Sequence, residues 1–209
     1  MPRNKTHYAG IPSDLTLAQA MKYTRPRVSE KRFRHIEGVA AVARKLATEA
    51  GEDAFLAELA GWLHDACKEM KPKDLIARAK EFGLKLHPVE AEDGRLLHGP
   101  VGALTVSREL GITNKELLDA IAEHTLGAHE MTELSKIVFL ADCLEESRDK
   151  SFTDPIWAAL RSKKDRPNLD KAMLVAFNLT IEHLLASNRV IHPKTVEVRN
   201  QFLLLVARS

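Results

Sequence analysis

The amino-acid sequence predicts an all-α protein built as a single helical bundle. Aromatic residues make up only 5% of the 209 residues while hydrophobic residues make up 44%, so the core must be mostly aliphatic and rich in alanine. Ala and Leu are among the strongest helix formers. Apolar residues recur at intervals of three and four along most of the chain, and we find no alternation of apolar and polar residues typical of strands.

Each predicted helix has a start or stop signal of its own. Ser29 and Asp53 are suited to cap the helices that follow them, and Pro72 suits a first helical turn. Gly51 and Gly111 are suited to end helices. The other expected N-caps are Ser13, Thr113 and Thr132. The predicted helices span residues 14–23, 29–50, 54–68, 72–82, 92–110, 114–125, 134–144, 154–160, 169–187 and 193–206.

The chain length suits one domain. Residues 1–28 are expected to form an N-terminal arm with one short helix, loose over its first 13 residues, and residues 29–209 the helical domain. Lys and Arg exceed Asp and Glu by only two, 31 against 29, which argues against a dedicated nucleic-acid binder.

The two cysteines, Cys67 and Cys143, form no CxxC pair and no disulfide framework, so we expect buried thiols in a reducing compartment. Whether they are redox-active stays open. The apolar runs are too short to span a bilayer, and residues 1–17 lack the apolar stretch of a signal peptide. We therefore expect a cytoplasmic protein that does not bind membranes.

The central chemical feature is a His–Asp pair at the end of an apolar helix, AGWLHDACK. His64 lies four residues after Ala60, on or beside the apolar face, and Asp65 lies four after Gly61, where a missing side chain leaves room. A buried carboxylate is costly unless it is paired or binds a metal.

Four further residues repeat this placement on other helices: His35, His98, His124 and Asp142. Taken singly, each is more often a hydrogen-bonded core histidine or a helix-terminal ion pair. Their occurrence together with the His–Asp pair argues against a purely structural role for all of them. If such a set binds a metal, imidazole and carboxylate ligands suit iron, manganese or zinc better than magnesium alone.

This ordered set resembles the HD-domain metal-dependent phosphohydrolases, and more closely the YqeK-like symmetrical bis(5'-nucleosyl)-tetraphosphatases of bacteria. The resemblance covers about residues 29–200, so the domain at 29–209 is expected to be of the HD type. The segments that carry it are RFRHIEGV, AELAGWLHDACK, LLHGPVGA, AIAEHTLG, KIVFLADCLEESRD and NRVIHPKTVEVRN.

The resemblance implies a two-metal site, expected to be di-iron with manganese as the alternative. Its implied ligands for the first metal are His35, His64, Asp65 and Asp142. Asp65 would bridge to a second metal, which His98 and His124 would also hold. Two such metals can activate a water and clamp a phosphate oxygen.

Substrate contacts are expected from residues near these ligands. Lys68 lies four residues after His64 on the same helix face. It could hold a phosphate or act in catalysis with Asp65. Alternatively, it is an exposed lysine that the helix dipole favours near a C-terminus. Arg148 is either a bidentate phosphate ligand or a solvated charge. Thr125, with His124, could line a nucleotide pocket, as could Gly127.

One segment departs from the family pattern. After the last metal-binding Asp, the family usually has an aromatic residue and then Ile-Glu-Pro, whereas this chain has Cys-Leu-Glu-Glu-Ser at 143–147. The departure concerns the nucleotide pocket rather than the metal site.

The resemblance implies an enzyme that hydrolyses diadenosine tetraphosphate to two ADP, with dinucleoside polyphosphate and ADP as its partners and no nucleic acid. A homodimer stays open. The alternatives are another HD-family activity such as a nucleoside monophosphate phosphatase, a non-catalytic nucleotide-binding regulator, and a helical module with histidines in its core.

Overall fold

The structure, a computed structural model, describes residues 8–208 and contains helices and no strand over that range. This confirms the all-α prediction. Short 3-10 helices lie at Arg25–Arg27 and Gly94–Leu97. The α-helices are α1 (Leu17–Thr24), α2 (Glu30–Ala50), α3 (Ala54–Leu63), α4 (Pro72–Glu81), α5 (Pro88–Glu92), α6 (His98–Leu110), α7 (Lys115–Glu123), α8 (Glu133–Leu144), α9 (Lys150–Leu160), α10 (Leu169–Ala186) and α11 (Pro193–Arg208).

Helices α2, α3, α7 and α8 form the centre of the bundle. Helix α2 packs along α3 and α8, α7 packs against α6 and α8, and α10 joins α8, α9 and α11 on the far side. The facing apolar side chains, among them Ile36, Leu59 and Ile137, are fully buried. Gly61 lets α2 and α3 approach closely, because a Cβ there would lie 2.6 Å from Ala40 Cα. Its missing side chain thus makes room for α2, not for Asp65.

Several predicted helix ends are confirmed. The side chains of Ser29, Asp53 and Thr132 each accept a hydrogen bond from the backbone N–H three residues later. Gly51 and Gly111 adopt the left-handed conformation after α2 and α6. These caps follow from short-range chemistry, which is why sequence alone identifies them.

Two expected caps were wrong by one to three residues. Helix α1 is capped by Thr16, which forms a reciprocal capping box with Gln19, instead of by Ser13. Helix α7 is capped by Asn114, whose Oδ1 accepts from Leu117 N, instead of by Thr113. The backbone N–H groups of residues 113 and 114 both donate to Gly10 O, which holds the turn before α7 in place.

Helix α3 ends at Leu63 instead of reaching residue 68. The imidazole Nδ1 of His64 bonds to Gly61 O at 2.7 Å. In a continuing helix this carbonyl would accept from the backbone N–H of residue 65 instead. Residues 64–70 then form successive tight turns, including Lys68 N to Asp65 O at 2.9 Å. These turns bring the His–Asp pair out of the regular helix.

The helix expected over residues 92–110 is interrupted, and α9 is longer than expected. The Asp93 side chain accepts from Arg95 N and starts the 3-10 turn, after which α6 begins at His98. Asp149 caps α9, which therefore begins at Lys150, four residues before the expected start at residue 154.

The described part of the N-terminal segment packs on the bundle instead of lying loose. Ile11 and Leu15 are buried, and the Tyr8 ring stacks on Phe55 with centroids 4.9 Å apart. The expected arm also includes residues 1–7, which lie outside the described residues. Within residues 8–208, no helix is both long and apolar enough to cross a membrane.

Candidate metal centre

The six predicted metal ligands lie together, each at or near a helix end. They are His35 in the second turn of α2, His64 and Asp65 directly after α3, His98 at the start of α6, His124 directly after α7, and Asp142 in the last turn of α8. All four histidines and Asp65 are buried, whereas the Asp142 side chain is 21% exposed. Five helices thus contribute to one polar cluster inside an apolar bundle.

Asp65 lies at the centre of this cluster, with two imidazoles facing each of its oxygens. Oδ2 lies 3.5 Å from His64 Nε2 and 3.8 Å from His35 Nε2. Oδ1 lies 3.3 Å from His98 Nε2 and 3.5 Å from His124 Nε2. The carboxylate therefore separates the histidines into two pairs.

Three of these imidazoles are oriented by the same local device. Nδ1 of His64, His98 and His124 bonds to the backbone carbonyl three residues earlier, at 2.7, 2.6 and 2.7 Å respectively. A carbonyl only accepts, so each Nδ1 must donate, and the lone pair of each neutral ring is then on Nε2. Such bonds fix the tautomer that presents Nε2 to a metal.

His35 is oriented by a distant carboxylate instead. Its Nδ1 lies 3.0 Å from Oε1 of Glu145, which is 3% exposed, and its Nε2 lies 3.1 Å from Asp142 Oδ1. Sequence reasoning missed Glu145 as a site residue. The only available signal was its position three residues after Asp142, which does not show that its side chain turns inward.

Unsatisfied polar atoms indicate that the cluster suits a cation. His35 Nε2, His64 Nε2 and Asp65 Oδ1 are buried without a hydrogen-bond partner. His98 Nε2 and His124 Nε2 lie 2.9 Å apart, although both rings use Nδ1 as the donor. A bound cation would satisfy these lone pairs, and burying them without one is costly.

The donor atoms form two overlapping groups, each with members within 4.8 Å of one another. One group is His35, His64 and Asp142, and the other is His64, Asp65 and His124. The residues present therefore fit a bound metal, and the mixture of imidazole and carboxylate matches transition-metal preference.

Both carboxylates are stabilised as anions. Burial alone would raise the pKa of Asp65, but His64 and the other close imidazoles outweigh it and hold the pKa well below the usual range. Burial likewise opposes ionisation of Asp142, and His35 and Arg148 overcome it and lower its pKa strongly. Both groups are thus available as charged ligands at neutral pH.

The three other predicted site residues lie at the edge of the cluster. Lys68 Nζ and Thr125 Oγ1 each lie 3.1 Å from His98 Nε2, and Lys68 Nζ is 4.0 Å from Asp65 Oδ1. Arg148 donates through Nε to Asp142 O at 2.9 Å and through Nη2 to the Asp142 carboxylate. All three are therefore close to the candidate ligands.

Arg32 also lies at the edge of the cluster, and it was not predicted from the sequence. Its Nη1 lies 3.0 Å from Asp65 Oδ2, and its side chain is 28% exposed. It lies three residues before His35, one turn earlier on α2, so helical spacing could have identified it.

Two glycines near the cluster have structural roles. Gly127, a candidate for the nucleotide pocket, has a φ of 70°, and a Cβ there would lie 2.8 Å from the Phe177 ring, so it serves a turn over the apolar core. Gly99 lets α6 approach the chain after α7 closely, because a Cβ there would lie 2.9 Å from Ala122 O. Burial raises the pKa of both thiols, to about 12 for Cys143, so both cysteines are protonated at neutral pH.

Comparison with known proteins identifies the class. A family model described as the HD domain matches residues 32–147, a range that contains all six candidate ligands. A crystal structure of a Clostridium acetobutylicum protein, described as a predicted HD superfamily hydrolase involved in NAD metabolism, is similar to this chain with a TM-score of 0.84 at 29% identity. The match covers 93% of this chain and 99% of that one. The protein is an HD-domain hydrolase.

Relatives with known names identify the family to which this chain belongs among the HD-domain hydrolases. The chain is 34% identical over 186 residues to a protein of Halalkalibacterium halodurans named symmetrical bis(5'-nucleosyl)-tetraphosphatase, covering 89% of this chain and 96% of the relative. It is 32% identical over 190 residues to a Staphylococcus aureus protein of the same name, and the match covers 90% of this chain and 95% of the relative. The chain belongs to the family of these tetraphosphatases, which confirms the resemblance seen in the sequence.

Proposed function

We propose that this protein hydrolyses diadenosine tetraphosphate between its two middle phosphates and releases two molecules of ADP. The observation that carries the proposal is the position of Asp65, whose two oxygens each face two imidazole nitrogens. The names of the two bacterial relatives specify the symmetrical cut.

In this proposal the cluster holds two transition metals. His35, His64 and Asp142 would serve the first and His98 and His124 the second, with Asp65 shared between them. The family resemblance implies a di-iron site, with manganese as the alternative. Mixed imidazole and carboxylate donors suit both metals. When bound, such a metal pair supplies an activated water and neutralises phosphate charge.

The residues of the chain have distinct tasks in this scheme. The Nδ1 bonds of the histidines hold their rings in one orientation, so that little reorganisation accompanies the reaction. Lys68 and Arg148, with side chains 33% and 39% exposed, would bind the phosphates from the rim. Arg32 adds a third cation there, and Thr125 would line the nucleotide pocket beside His124.

The reaction needs no other co-substrate than water. A water oxygen bonds to one middle phosphorus while the bond from that phosphorus to the bridging oxygen breaks. The electron pair leaves with the second ADP, and the water releases one proton. Cations at the rim favour this step because negative charge builds up on the departing phosphate.

The test combines metal analysis with product identification. The protein is purified without chelator, its metals are quantified, and it is incubated with diadenosine tetraphosphate in the presence of iron or manganese. We expect up to two metals per chain and ADP as the only nucleotide product. Asp65→Asn is the matched control, because it keeps the side-chain shape and removes the charge; it should lose both metal and activity.

Other products would redirect the proposal. ATP and AMP together would mean an asymmetrical cut, and turnover of nucleoside monophosphates alone would favour the phosphatase alternative. Metal and nucleotide binding without turnover would favour a regulator. A protein that takes up no metal, or an Asp65→Asn variant with full activity, would contradict the assignment of the cluster.

A further inference from the structure

Three cavities that share lining residues follow the exposed side of α2 away from the metal cluster, and together they are called the groove. Their volumes are about 910, 530 and 520 Å³. The first is lined by His35 and Arg148, the second shares Arg148 with the first, and the third shares Lys45 and Trp157 with the second. The groove therefore joins the proposed reaction centre to a tryptophan on α9.

Helix α2 determines the course and length of this groove. Gly38, Ala41 and Val42 line it, so small side chains keep its floor open. His35 and Lys45 are ten residues apart on α2, which corresponds to about 15 Å along the helix axis. This distance is comparable to the length of one extended nucleoside diphosphate.

The far end of the groove presents an aromatic ring among cations. Trp157 is half-buried. Lys45 Nζ lies 5.3 Å and Arg161 Cζ 5.4 Å from its ring centroid. Both cationic side chains are exposed, so either can move aside when a planar ligand stacks on the ring. Tryptophan rings stack nucleobases without requiring a particular base.

The same end is rich in positive charge. Glu49 and Asp165 are the carboxylates that line the third cavity. Its cationic lining residues are Lys45, Arg161, Lys163, Lys164 and Arg166. An excess of cations around an aromatic ring suits a phosphorylated aromatic ligand better than a neutral one.

We propose that this groove is a subsite for the half of the dinucleoside tetraphosphate that extends away from the metal cluster. Its nucleobase stacks on Trp157, and its phosphates run past Arg148 and Lys45. The inference rests on the proposed function. A symmetrical substrate cleaved at its centre has two equal arms. Metals held by the cluster would serve the middle phosphates only, so at least one arm must lie along the protein surface.

The first test uses tryptophan fluorescence. The chain has two tryptophans, and Trp62 is only 5% exposed, so Trp62→Phe makes Trp157 the single reporter. The metal-loaded variant is titrated with a methylene-bridged analogue of diadenosine tetraphosphate that resists hydrolysis. We expect saturable quenching by the analogue and none by inorganic tripolyphosphate at the same concentrations.

The second test is kinetic. Trp157→Ala should lower kcat/KM for diadenosine tetraphosphate roughly tenfold, a factor typical of one lost base–aromatic stack. Its metal content should match that of the wild type. Trp157→Phe should recover most of the loss, because it restores an aromatic surface. Lys80→Ala is a control outside the groove and should keep the wild-type kcat/KM, since Lys80 is exposed on α4 and does not line any of the three cavities.

The outcomes separate the subsite from the proposed function. If the wild type produces ADP but Trp157→Ala keeps full kcat/KM and the fluorescence does not respond, the subsite is wrong and the function stands. If the wild type fails to hydrolyse the substrate, the proposed function fails, and saturable quenching by the analogue would still support the groove. Tighter quenching by a single-stranded oligonucleotide than by the analogue would overturn the subsite.

Discussion

Nδ1 of His35 lies 3.0 Å from Oε1 of Glu145, and this buried pair joins the beginning of α2 to the residue that follows α8. Glu145 also accepts hydrogen bonds from the backbone and side chain of Ser147. Gly38 leaves the space it needs, since a Cβ there would lie 3.2 Å from Glu145 Oε2. The pair holds the other imidazole nitrogen of His35 toward Asp142.

Glu145→Gln should weaken metal binding about tenfold or more, because a neutral amide makes a weaker acceptor for the Nδ1–H of His35. Competition with a coloured chelator measures this affinity. Glu146→Gln is the control, since Glu146 is exposed and adjacent. Wild-type metal affinity in the Glu145 variant would mean that the contact between His35 and Glu145 contributes only to packing.

Lys68→Ala should leave the metal content unchanged and lower kcat by about 10²-fold, because the side chain is proposed to stabilise charge on the phosphates and not to hold the metal. Elemental analysis and steady-state rates measure the two effects separately. Lys73→Ala, at an exposed position on α4, should change neither. Loss of metal from the Lys68 variant would assign that lysine a structural role.

Gly61→Ala should lower the free energy of unfolding by about 1–3 kcal/mol, since the added methyl overlaps Ala40 on α2 and forces two packed helices apart. Urea denaturation of the metal-free protein measures the change. Gly102→Ala is a matched control, because the nearest atom to its new Cβ would be 3.8 Å away. The prediction fails if both variants unfold alike.

Burial lowers the pKa of His124 to about 4 in the metal-free protein, against the opposing effect of Asp65. A histidine in the unfolded chain titrates near 6.5. Between these values the unfolded chain binds a proton that the folded chain does not, so this residue reduces the free energy of unfolding as pH falls from about 6.5 to about 4.

An NMR titration of the His124 ring in chelator-treated protein should therefore show a midpoint near pH 4. Replacement by Asn should remove the corresponding part of the pH dependence of unfolding. A midpoint near 6.5 would show that the ring is more hydrated than its position indicates.

Much of the site could be predicted because its residues follow the order of the motifs in the HD-domain family. The six candidate ligands were identified from their positions on apolar helix faces and from the family resemblance, and the structure brings them together. Their roles as ligands and the division of the chain at residue 28 remain predictions. Glu145 was missed because its importance depends on a contact with a residue 110 positions away. Arg32 was missed although its spacing from His35 on α2 was an available signal.

Local residue patterns are sufficient to determine that this protein is helical and where most helices begin, because capping and apolar periodicity act over a few residues. The end of α3 is marked by a local bond between the His64 imidazole and the Gly61 carbonyl, which apolar periodicity did not predict. Tertiary structure decided that Asp65 lies between two pairs of imidazoles and that a groove follows α2 to Trp157. Those arrangements depend on how the ends of separate helices meet, which no short segment specifies.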